Sequence, residues 1–326
     1  MIRQFKISVS KNTLNNIYKK VRNYPWRMIQ SVNGWEYGTN YNFLKKISQY
    51  WVSKYDWKKF ENKINSFKNY KTNVDGINLH FIKEKSKNPK SRPLLLLHGW
   101  PGSVIEFLDI IPKLAHPEKF GGKIEDAFTV IAPSLPGFGF SSPPNKPIGP
   151  RRIAKILNKL MTENLKYKNY IAQGGDWGAT IANWLGYDHY KSCSAIHINC
   201  LTMRLTSDPQ TEEEKKWLIK FDQDQTIQDG YRTQQATKPQ TLSYAMMDSP
   251  VGIAAWIIEK MHGWSDLKDE NIETVYAKDT LIKNIMIYVL TNTFNSASWI
   301  YFGRRKEGGR YFPNNFKKIN TPTGIA

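Results

Sequence analysis

The stretch that most constrains the fold of this chain lies at residues 170–182, whose sequence is YIAQGGDWGATIA. It begins with the apolar residues of a short buried strand, passes through a glycine-rich turn and continues with helix-forming residues. Gly174 and Gly178 flank Asp176 with one residue between each pair, a spacing that lets the backbone reverse sharply and hold one side chain outward. The pattern predicts a strand, a sharp turn and a helix, with Asp176 at the turn.

Two other interpretations of this turn stay open on its sequence alone. A dinucleotide-binding loop requires the pattern G-x-G-x-x-G, and Asp176 stands where the second glycine would be, which disfavours that interpretation. An aspartate at a helix entry can also serve only to cap the helix that follows. Other stretches of the chain must decide between a capping residue and a reactive carboxylate.

The apolar segments around this turn indicate an α/β fold. Residues 93–97 and 128–132 are continuous apolar runs typical of buried strands, and residues 194–199 supply another strand. Helical patterns separate these runs, so we expect a mostly parallel sheet with helices on both faces. Asp-Gly between residues 70–74 and 77–82 predicts a hairpin.

The chain divides by pattern into four regions. Residues 1–69 are aromatic-rich and helical, and residues 70–200 carry the alternating strands and helices of the core. Residues 201–280 are polar, helical and interrupted by proline, which predicts an inserted cap over the carboxyl ends of the strands. In residues 281–326 the pattern predicts a long helix, spanning 280–298, that returns to the core. The last residues of the chain predict the start of one more strand.

Composition narrows the classes of function. The net charge is +19, but lysines are spread along the whole chain without a groove-reading motif, so we expect a basic surface and no nucleic-acid partner. Cys193 and Cys200 lack metal-ligand spacing, and we expect no metal or cofactor. No run of 18 apolar residues is present, and residues 1–6 lack a signal core, so we expect a cytoplasmic protein without a membrane anchor. An oligomer remains open.

Several motifs occur in order along the chain. They are WEYG at 35–38, HGWPGS at 98–103, GGDWG at 174–178 and, in the insertion, DGY at 229–231, TKP at 237–239 and DSP at 248–250. Together these motifs resemble those of epoxide hydrolases of the microsomal and juvenile-hormone type, and the likeness covers nearly the whole chain. The resemblance implies an α/β-hydrolase fold with a helical cap and a helical N-terminal extension.

The same resemblance implies a mechanism and a set of site residues. A small or medium apolar epoxide is hydrolysed with water to a vicinal diol, as in detoxification, through a covalent ester on Asp176. Tyr231 and Tyr301 match the two tyrosines that protonate the ring oxygen. Backbone N–H groups of Trp100 and Trp177 match the oxyanion hole, and their indole rings are expected to line the substrate pocket.

In this fold a charge-relay acid follows the next-to-last strand and a base His follows the last one. None of the six histidines occupies that region; they are His80, His98, His116, His189, His197 and His262. We therefore expect a C-terminally truncated chain, a fragment in which the acid, the base His, the last strand and the closing helix are missing. Such a chain would alkylate Asp176 once and stall.

Two alternatives to epoxide hydrolysis stay open. The chain could be an inactive relative that binds apolar ligands without turnover. It could also be a hydrolase like the haloalkane dehalogenases, which share the Asp-Trp nucleophile turn and the ester intermediate. The pair Tyr231 and Tyr301 favours protonation of an ether oxygen over capture of a halide.

Overall fold

The structure, a computed structural model, describes residues 1–204, 208–313 and 318–326. Its strands are β1 (Arg3–Gln4), β2 (Asn69–Val74), β3 (Ile77–Glu84), β4 (Arg92–Leu97), β5 (Phe128–Pro133), β6 (Tyr170–Gly174), β7 (Cys193–Ile198) and β8 (Thr323–Ile325). Within the described residues they form one eight-stranded sheet in the order β1-β2-β3-β5-β4-β6-β7-β8. Pairing is parallel from β5 through β4, β6 and β7 to β8, and antiparallel among β1, β2, β3 and β5. The predicted mostly parallel sheet is confirmed.

The central strands are apolar throughout because parallel strands of this kind are covered on both faces. In β4, Leu95 and Leu97 are fully buried on one face of the sheet. Leu94 and Leu96, which point to the opposite face, are buried as well, so both faces of the strand are covered. The hairpin between β2 and β3 is also confirmed, and its turn residues Asp75 and Gly76 have φ of 50° and 85°. Positive φ at both turn positions matches the right-handed twist of the strands that they join.

The helices follow the regions seen in the sequence. They are α1 (Lys11–Arg22), α2 (Tyr41–Ser53), α3 (Trp57–Asn65), α4 (Ile111–Ala115), α5 (Pro150–Lys159), α6 (Trp177–Asp188), α7 (Glu212–Gln228), α8 (Gly230–Thr237), α9 (Pro239–Met246), α10 (Pro250–Gly263), α11 (Lys278–Thr291) and α12 (Phe294–Lys306). Helices α8 and α9 of the insertion pack against α12, and α10 packs against α11 and the N-terminal helices α1 and α2. No helix in the described ranges is both long and apolar enough to cross a bilayer.

Two expectations need correction. The N-terminal region is not purely helical, because Arg3 and Gln4 add an edge strand beside β2. The helix predicted at 280–298 is two helices, α11 and α12, separated at Asn292, whose φ is 54°. Asparagine tolerates this left-handed conformation better than most residues, so the chain turns there. Tyr301 therefore lies inside α12 and not after a single long helix.

Gly178 joins α6 to the sheet and should be intolerant of a side chain. A Cβ at this position would lie 1.9 Å from the backbone oxygen of Leu97. We expect Gly178→Ala to lower the free energy of unfolding by about 3 kcal/mol, because the overlap is with backbone and cannot be relieved by a rotamer change. Urea denaturation measures the change. Gly230→Ala is the control, since no atom lies within 4 Å of its Cβ position. Equal unfolding midpoints for the two variants would contradict the assignment.

Candidate active site

Asp176 occupies a sharp turn between β6 and α6. Its backbone has φ 48° and ψ −124°, a conformation that a non-glycine residue rarely adopts. The side chain accepts no capping hydrogen bond from α6, so the simple helix-cap interpretation is not supported. Glycine is needed beside it, because a Cβ at Gly174 would lie 2.2 Å from the carbonyl carbon of Gly178. The turn thus directs the carboxylate away from its own helix.

The loop at residues 98–103 meets this carboxylate. The backbone N–H of Trp100 donates to Oδ1 of Asp176 at 2.8 Å. A Cβ at Gly99 would lie only 2.0 Å from the same oxygen, so only glycine lets the loop approach this closely. The strand that precedes this loop, β4, is the parallel neighbour of β6, and the carboxyl ends of both strands lie at one edge of the sheet. Residues distant in sequence are brought together in this way.

Helix α11 holds this loop from the outside. Asn284 Nδ2 donates to the carbonyl of Pro101 at 2.6 Å, and the Tyr288 hydroxyl donates to the carbonyl of Gly102 at 2.7 Å. His98 holds it from within: Nε2 accepts the backbone N–H of Leu135 at 3.1 Å, which leaves Nδ1 as the protonated nitrogen. Burial lowers the pKa of His98 to about 4. His98 is therefore a neutral structural group.

Aromatic side chains surround the carboxylate. The rings of Trp100 and Tyr231 stack at 5.2 Å and 10°, and the Tyr301 ring stands edge-on to Tyr231 at 5.7 Å and 84°. Trp177 and Tyr301 meet edge-on at 4.7 Å, and Trp264 packs against Tyr231 at 5.1 Å. The structure thus brings together Trp100, Trp177, Tyr231 and Tyr301, which the sequence selected separately, and adds Trp264.

Two cavities share Asp176. The larger, of ≈ 750 Å³, is lined by Trp100, Glu106, Lys260, Met261, Trp264 and others. The smaller, of ≈ 320 Å³, is lined by Trp177, Tyr231, Tyr301 and Arg304 among others. The accessible surface of Asp176 faces these cavities. The carboxylate is therefore reachable by a small molecule from either cavity.

This environment changes the acidity of the central groups. Burial raises the pKa of Asp176 to about 6, against the opposing effects of the Trp177 and Trp100 backbone N–H groups and of the Arg304 charge. The contact from Trp100 has ordinary hydrogen-bond geometry, so we regard the contact from Trp177 as the weaker of the two. Burial, together with the Asp176 charge, also raises the pKa of both Tyr231 and Tyr301. Both phenols therefore stay protonated at neutral pH.

Arg304 was not among the residues predicted from the sequence. It lies one helical turn after Tyr301 on α12, with its guanidinium 5.1 Å from the Trp177 ring centre. Its Nε donates to the carbonyl of Gly309 at 3.1 Å, and one terminal nitrogen donates to the carbonyl of Thr202 at 2.5 Å. Burial lowers its pKa while the charge of Asp176 raises it. Its spacing of three residues from Tyr301 was the only signal in the sequence.

Glu106 was also not predicted. It follows the HGWPGS motif, lines the larger cavity and has its pKa raised to about 8 by burial and then by the charge of Asp176. Asp176 has the lower pKa of the two, so it ionises first and its charge then opposes ionisation of Glu106.

None of the six histidines forms a hydrogen bond with the Asp176 carboxylate. His262, in the cap, stacks on Trp35 at 3.7 Å and contacts the carbonyl of Glu270 at 2.9 Å. His80 lies between Ser134 and Asn69, each at 2.9 Å. His116 contacts the carboxylate of Glu84 at 3.0 Å, and a Cβ on Gly324 would lie 2.9 Å from the His197 ring. None of these contacts of the four side chains involves Asp176.

Two family models match the chain. The one described as "Epoxide hydrolase N terminus" matches residues 2–107, and the one described as "alpha/beta hydrolase fold" matches residues 92–248. A protein of Stigmatella aurantiaca (strain DW4/3-1), whose name includes the words epoxide hydrolase, is 40% identical over 329 residues, which cover 100% of this chain and 73% of that protein. Epoxide hydrolase 1 of Oryctolagus cuniculus is 34% identical, covering 100% of this chain and 77% of its own length.

Solved structures agree with these relatives. Juvenile hormone epoxide hydrolase from the silkworm Bombyx mori superposes with a TM-score of 0.80 at 29% identity, covering 100% of this chain and 80% of that chain. Aspergillus niger epoxide hydrolase superposes with a TM-score of 0.82 at 25% identity, covering 100% and 89%. The predicted α/β-hydrolase fold is confirmed.

The ionisation of Asp176 can be tested without a substrate. We expect the ¹³Cγ signal of Asp176 to titrate with a pKa near 6, because burial outweighs the stabilising groups, so the carboxylate is ionised above this pH and protonated below it. Arg304→Met should raise this pKa further, because it removes a favourable positive charge. Arg305→Met is the matched control, since Arg305 is exposed on the same helix. A wild-type pKa near 4, or equal shifts in both variants, would contradict this account.

Proposed function

The chain belongs to the epoxide hydrolases of the α/β-hydrolase fold, and from this premise we propose that it opens an epoxide through a covalent ester on Asp176. One observation carries the proposal. The Asp176 carboxylate, held by the Trp100 N–H at 2.8 Å, lines the smaller cavity together with the protonated phenols of Tyr231 and Tyr301. A nucleophile and proton donors are therefore available at one place, as the opening of a strained ether requires.

In the first step a carboxylate oxygen of Asp176 attacks a ring carbon, and the bond from that carbon to the ring oxygen breaks. An aspartate suits this step because its target is an sp³ carbon and the anion has no proton to lose. The released alkoxide takes a proton from Tyr231 or Tyr301, since an alkoxide is a stronger base than a phenolate. The phenolate formed is stabilised by the neighbouring Arg304, whose charge interacts favourably with both phenols.

Ring contacts keep the two phenols in place. Tyr231 lies between Trp100, at 5.2 Å, and Trp264, at 5.1 Å, while Tyr301 contacts Trp177 at 4.7 Å. The two phenols come from different regions, α8 of the insertion and α12 of the core. We propose that residues 201–280 act as a cap that supplies one of the two acids. The other three regions are then the N-terminal extension at residues 1–69, the core at residues 70–200 and the segment at residues 281–326 that returns to the core.

In the second step water attacks Cγ of the ester, and a tetrahedral oxyanion forms there. The backbone N–H of Trp100 already binds an Asp176 oxygen, and that of Trp177 lies beside it, so the two support an oxyanion hole. One such donor typically contributes about 3 kcal/mol to the stability of the transition state. The larger cavity is lined by the indole rings of Trp100 and Trp264 and by the side chain of Met261. These apolar walls favour a small or medium apolar epoxide as the substrate.

Ester formation should depend on Asp176 and on both phenols. We expect Asp176→Asn to form no adduct with styrene oxide, because the amide is not nucleophilic. The double variant Tyr231→Phe, Tyr301→Phe should form it about 10²–10⁴ times more slowly, with a smaller loss in each single variant because one acid remains. Intact mass spectrometry follows the adduct. Tyr244→Phe is the control, since Tyr244 is an exposed tyrosine of the cap. Alkylation of Asp176→Asn at the wild-type rate would refute the nucleophile.

A second candidate, dehalogenation of a haloalkane, is favoured by one observation. The indole N–H of Trp100 is buried and has no hydrogen-bond partner among the described residues, and that of Trp177 is buried beside the Tyr301 hydroxyl. Such donors could bind a departing halide, which has no use for a phenolic proton.

The two reactions are separated by their products. Because two phenols lie beside the nucleophile, we expect the protein to consume styrene oxide and to release no chloride from 1-chlorohexane. Adduct mass and a chloride assay on the same preparation measure both. Chloride release as fast as epoxide consumption would favour the dehalogenase interpretation, and Trp177→Phe should then slow chloride release selectively.

A further inference from the structure

A buried cation lies against one of the two phenols at the site. Lys260, on α10 of the insertion, has only 7% of its side chain exposed. Its ammonium lies 4.9 Å from the centre of the Tyr231 ring and 5.9 Å from that of the Trp264 ring. The same lysine lines the larger cavity, as Asp176 does. Burying a cation in this way costs free energy unless its surroundings compensate.

The polar partners of Lys260 compensate for its charge only in part. Its ammonium is paired with the carboxylate of Glu259 at 2.8 Å, and it lies 3.4 Å from the backbone and side-chain oxygens of Gln228. Glu259 has 28% of its side chain exposed, four times the fraction of Lys260, so water screens the acid more than the base. A positive potential therefore remains at the ring of Tyr231.

The ring of Tyr231 is held beside this cation. It stacks on Trp100 at 5.2 Å and 10°, and it meets Trp264 at 5.1 Å and 62°. Lys260 and Trp264 are four residues apart at the end of α10, a spacing that brings two side chains to the same side of a helix. The end of α10 thus holds Tyr231 with an indole and an ammonium together.

The two phenols differ in their contact with this cation. Among the described residues, the cation–ring contacts of Lys260 are with Tyr231 and Trp264, and not with Tyr301. Burial raises the pKa of both phenols, but the hydrogen bond between them lowers the pKa of Tyr231 and raises that of Tyr301. Tyr231 is therefore the phenol that loses its proton more readily.

The second buried cation of the site, Arg304, does not distinguish the phenols in this way. Its charge interacts favourably with Asp176, Tyr301 and Tyr231 alike. It comes from α12, whereas Lys260 comes from the insertion. A contact that favours one phenol over the other is thus a property of Lys260.

Resting on the function proposed above, we propose that Lys260 is a positioning residue for ring opening and that Tyr231 is the phenol that gives up its proton. As the carboxylate of Asp176 bonds to the ring carbon, the bond from that carbon to the ring oxygen breaks, and this oxygen takes the hydroxyl proton of Tyr231. The electron pair of the O–H bond stays on Tyr231, and the charge of the phenolate spreads over its ring. The ammonium over that ring stabilises the charge as it forms.

This stabilisation is larger for the phenolate than for the phenol. A neutral ring attracts a cation only through its quadrupole, whereas a phenolate carries a full negative charge. Because the ammonium lies over the ring, it does not compete with the substrate oxygen for the Tyr231 hydroxyl. An interaction that strengthens on the way to the transition state raises the rate of a step and not the affinity for the substrate.

The test measures ester formation in paired variants. Each protein is mixed with styrene oxide over a series of concentrations, and the first appearance of the Asp176 adduct is followed by intact mass spectrometry. We expect Lys260→Met, which keeps an apolar stem and removes the charge, to lower the limiting rate about tenfold with little change in the half-saturating concentration. Lys260→Arg should recover most of this rate. Lys268→Met is the control, because Lys268 is an exposed lysine of the same insertion.

The two phenols provide the sharper comparison. In a Tyr301→Phe background Tyr231 is the only phenol left, so Lys260→Met should again slow ester formation about tenfold. In a Tyr231→Phe background no phenolate forms beside Lys260, so the same change should alter the rate by less than about twofold. A role in folding alone would slow both backgrounds equally.

A Lys260→Met protein that forms the adduct at the wild-type limiting rate overturns the inference, and so does an equal loss in the two phenol backgrounds. Failure of the proposed function looks different, because no protein of the set, wild type included, would then carry an adduct on Asp176.

Discussion

The close approach of two loops at the carboxyl ends of β4 and β6 is the contact on which the site depends. The N–H of Trp100 reaches Asp176 only because Gly99 has no side chain, and α6 begins where it does only because Gly178 lies against the backbone of Leu97. Parallel neighbours end at the same edge of a sheet, so the topology brings these loops together before any side chain is considered. The glycines then set how near they come, and the left-handed turn at Asp176 is maintained by that packing.

The chemistry follows from a balance between burial and the few groups that favour a negative charge. Burial alone would make the Asp176 carboxyl neutral, whereas strong pairing would make it a stable and unreactive anion. The Trp100 N–H and the charge of Arg304 stabilise the anion to an intermediate degree, so the pKa of Asp176 stays below neutrality. Because the same burial raises the pKa of Tyr231 and Tyr301, one environment supplies both the ionised carboxylate and the protonated phenols that the proposed function requires.

Sequence patterns predicted those parts of the protein that a short motif or a local period specifies. The sheet, the hairpin at Asp75 and the turn at Asp176 all have local signals, and the selected aromatic residues cluster as their motifs suggested. Glu106 had no such signal and Arg304 had only its spacing from Tyr301, because a charged side chain on a helix is interpreted as a solvated surface group until the tertiary contacts are known. The break at Asn292 was missed for a related reason: hydrophobic periodicity continues across it, and a single left-handed residue leaves that period almost unchanged.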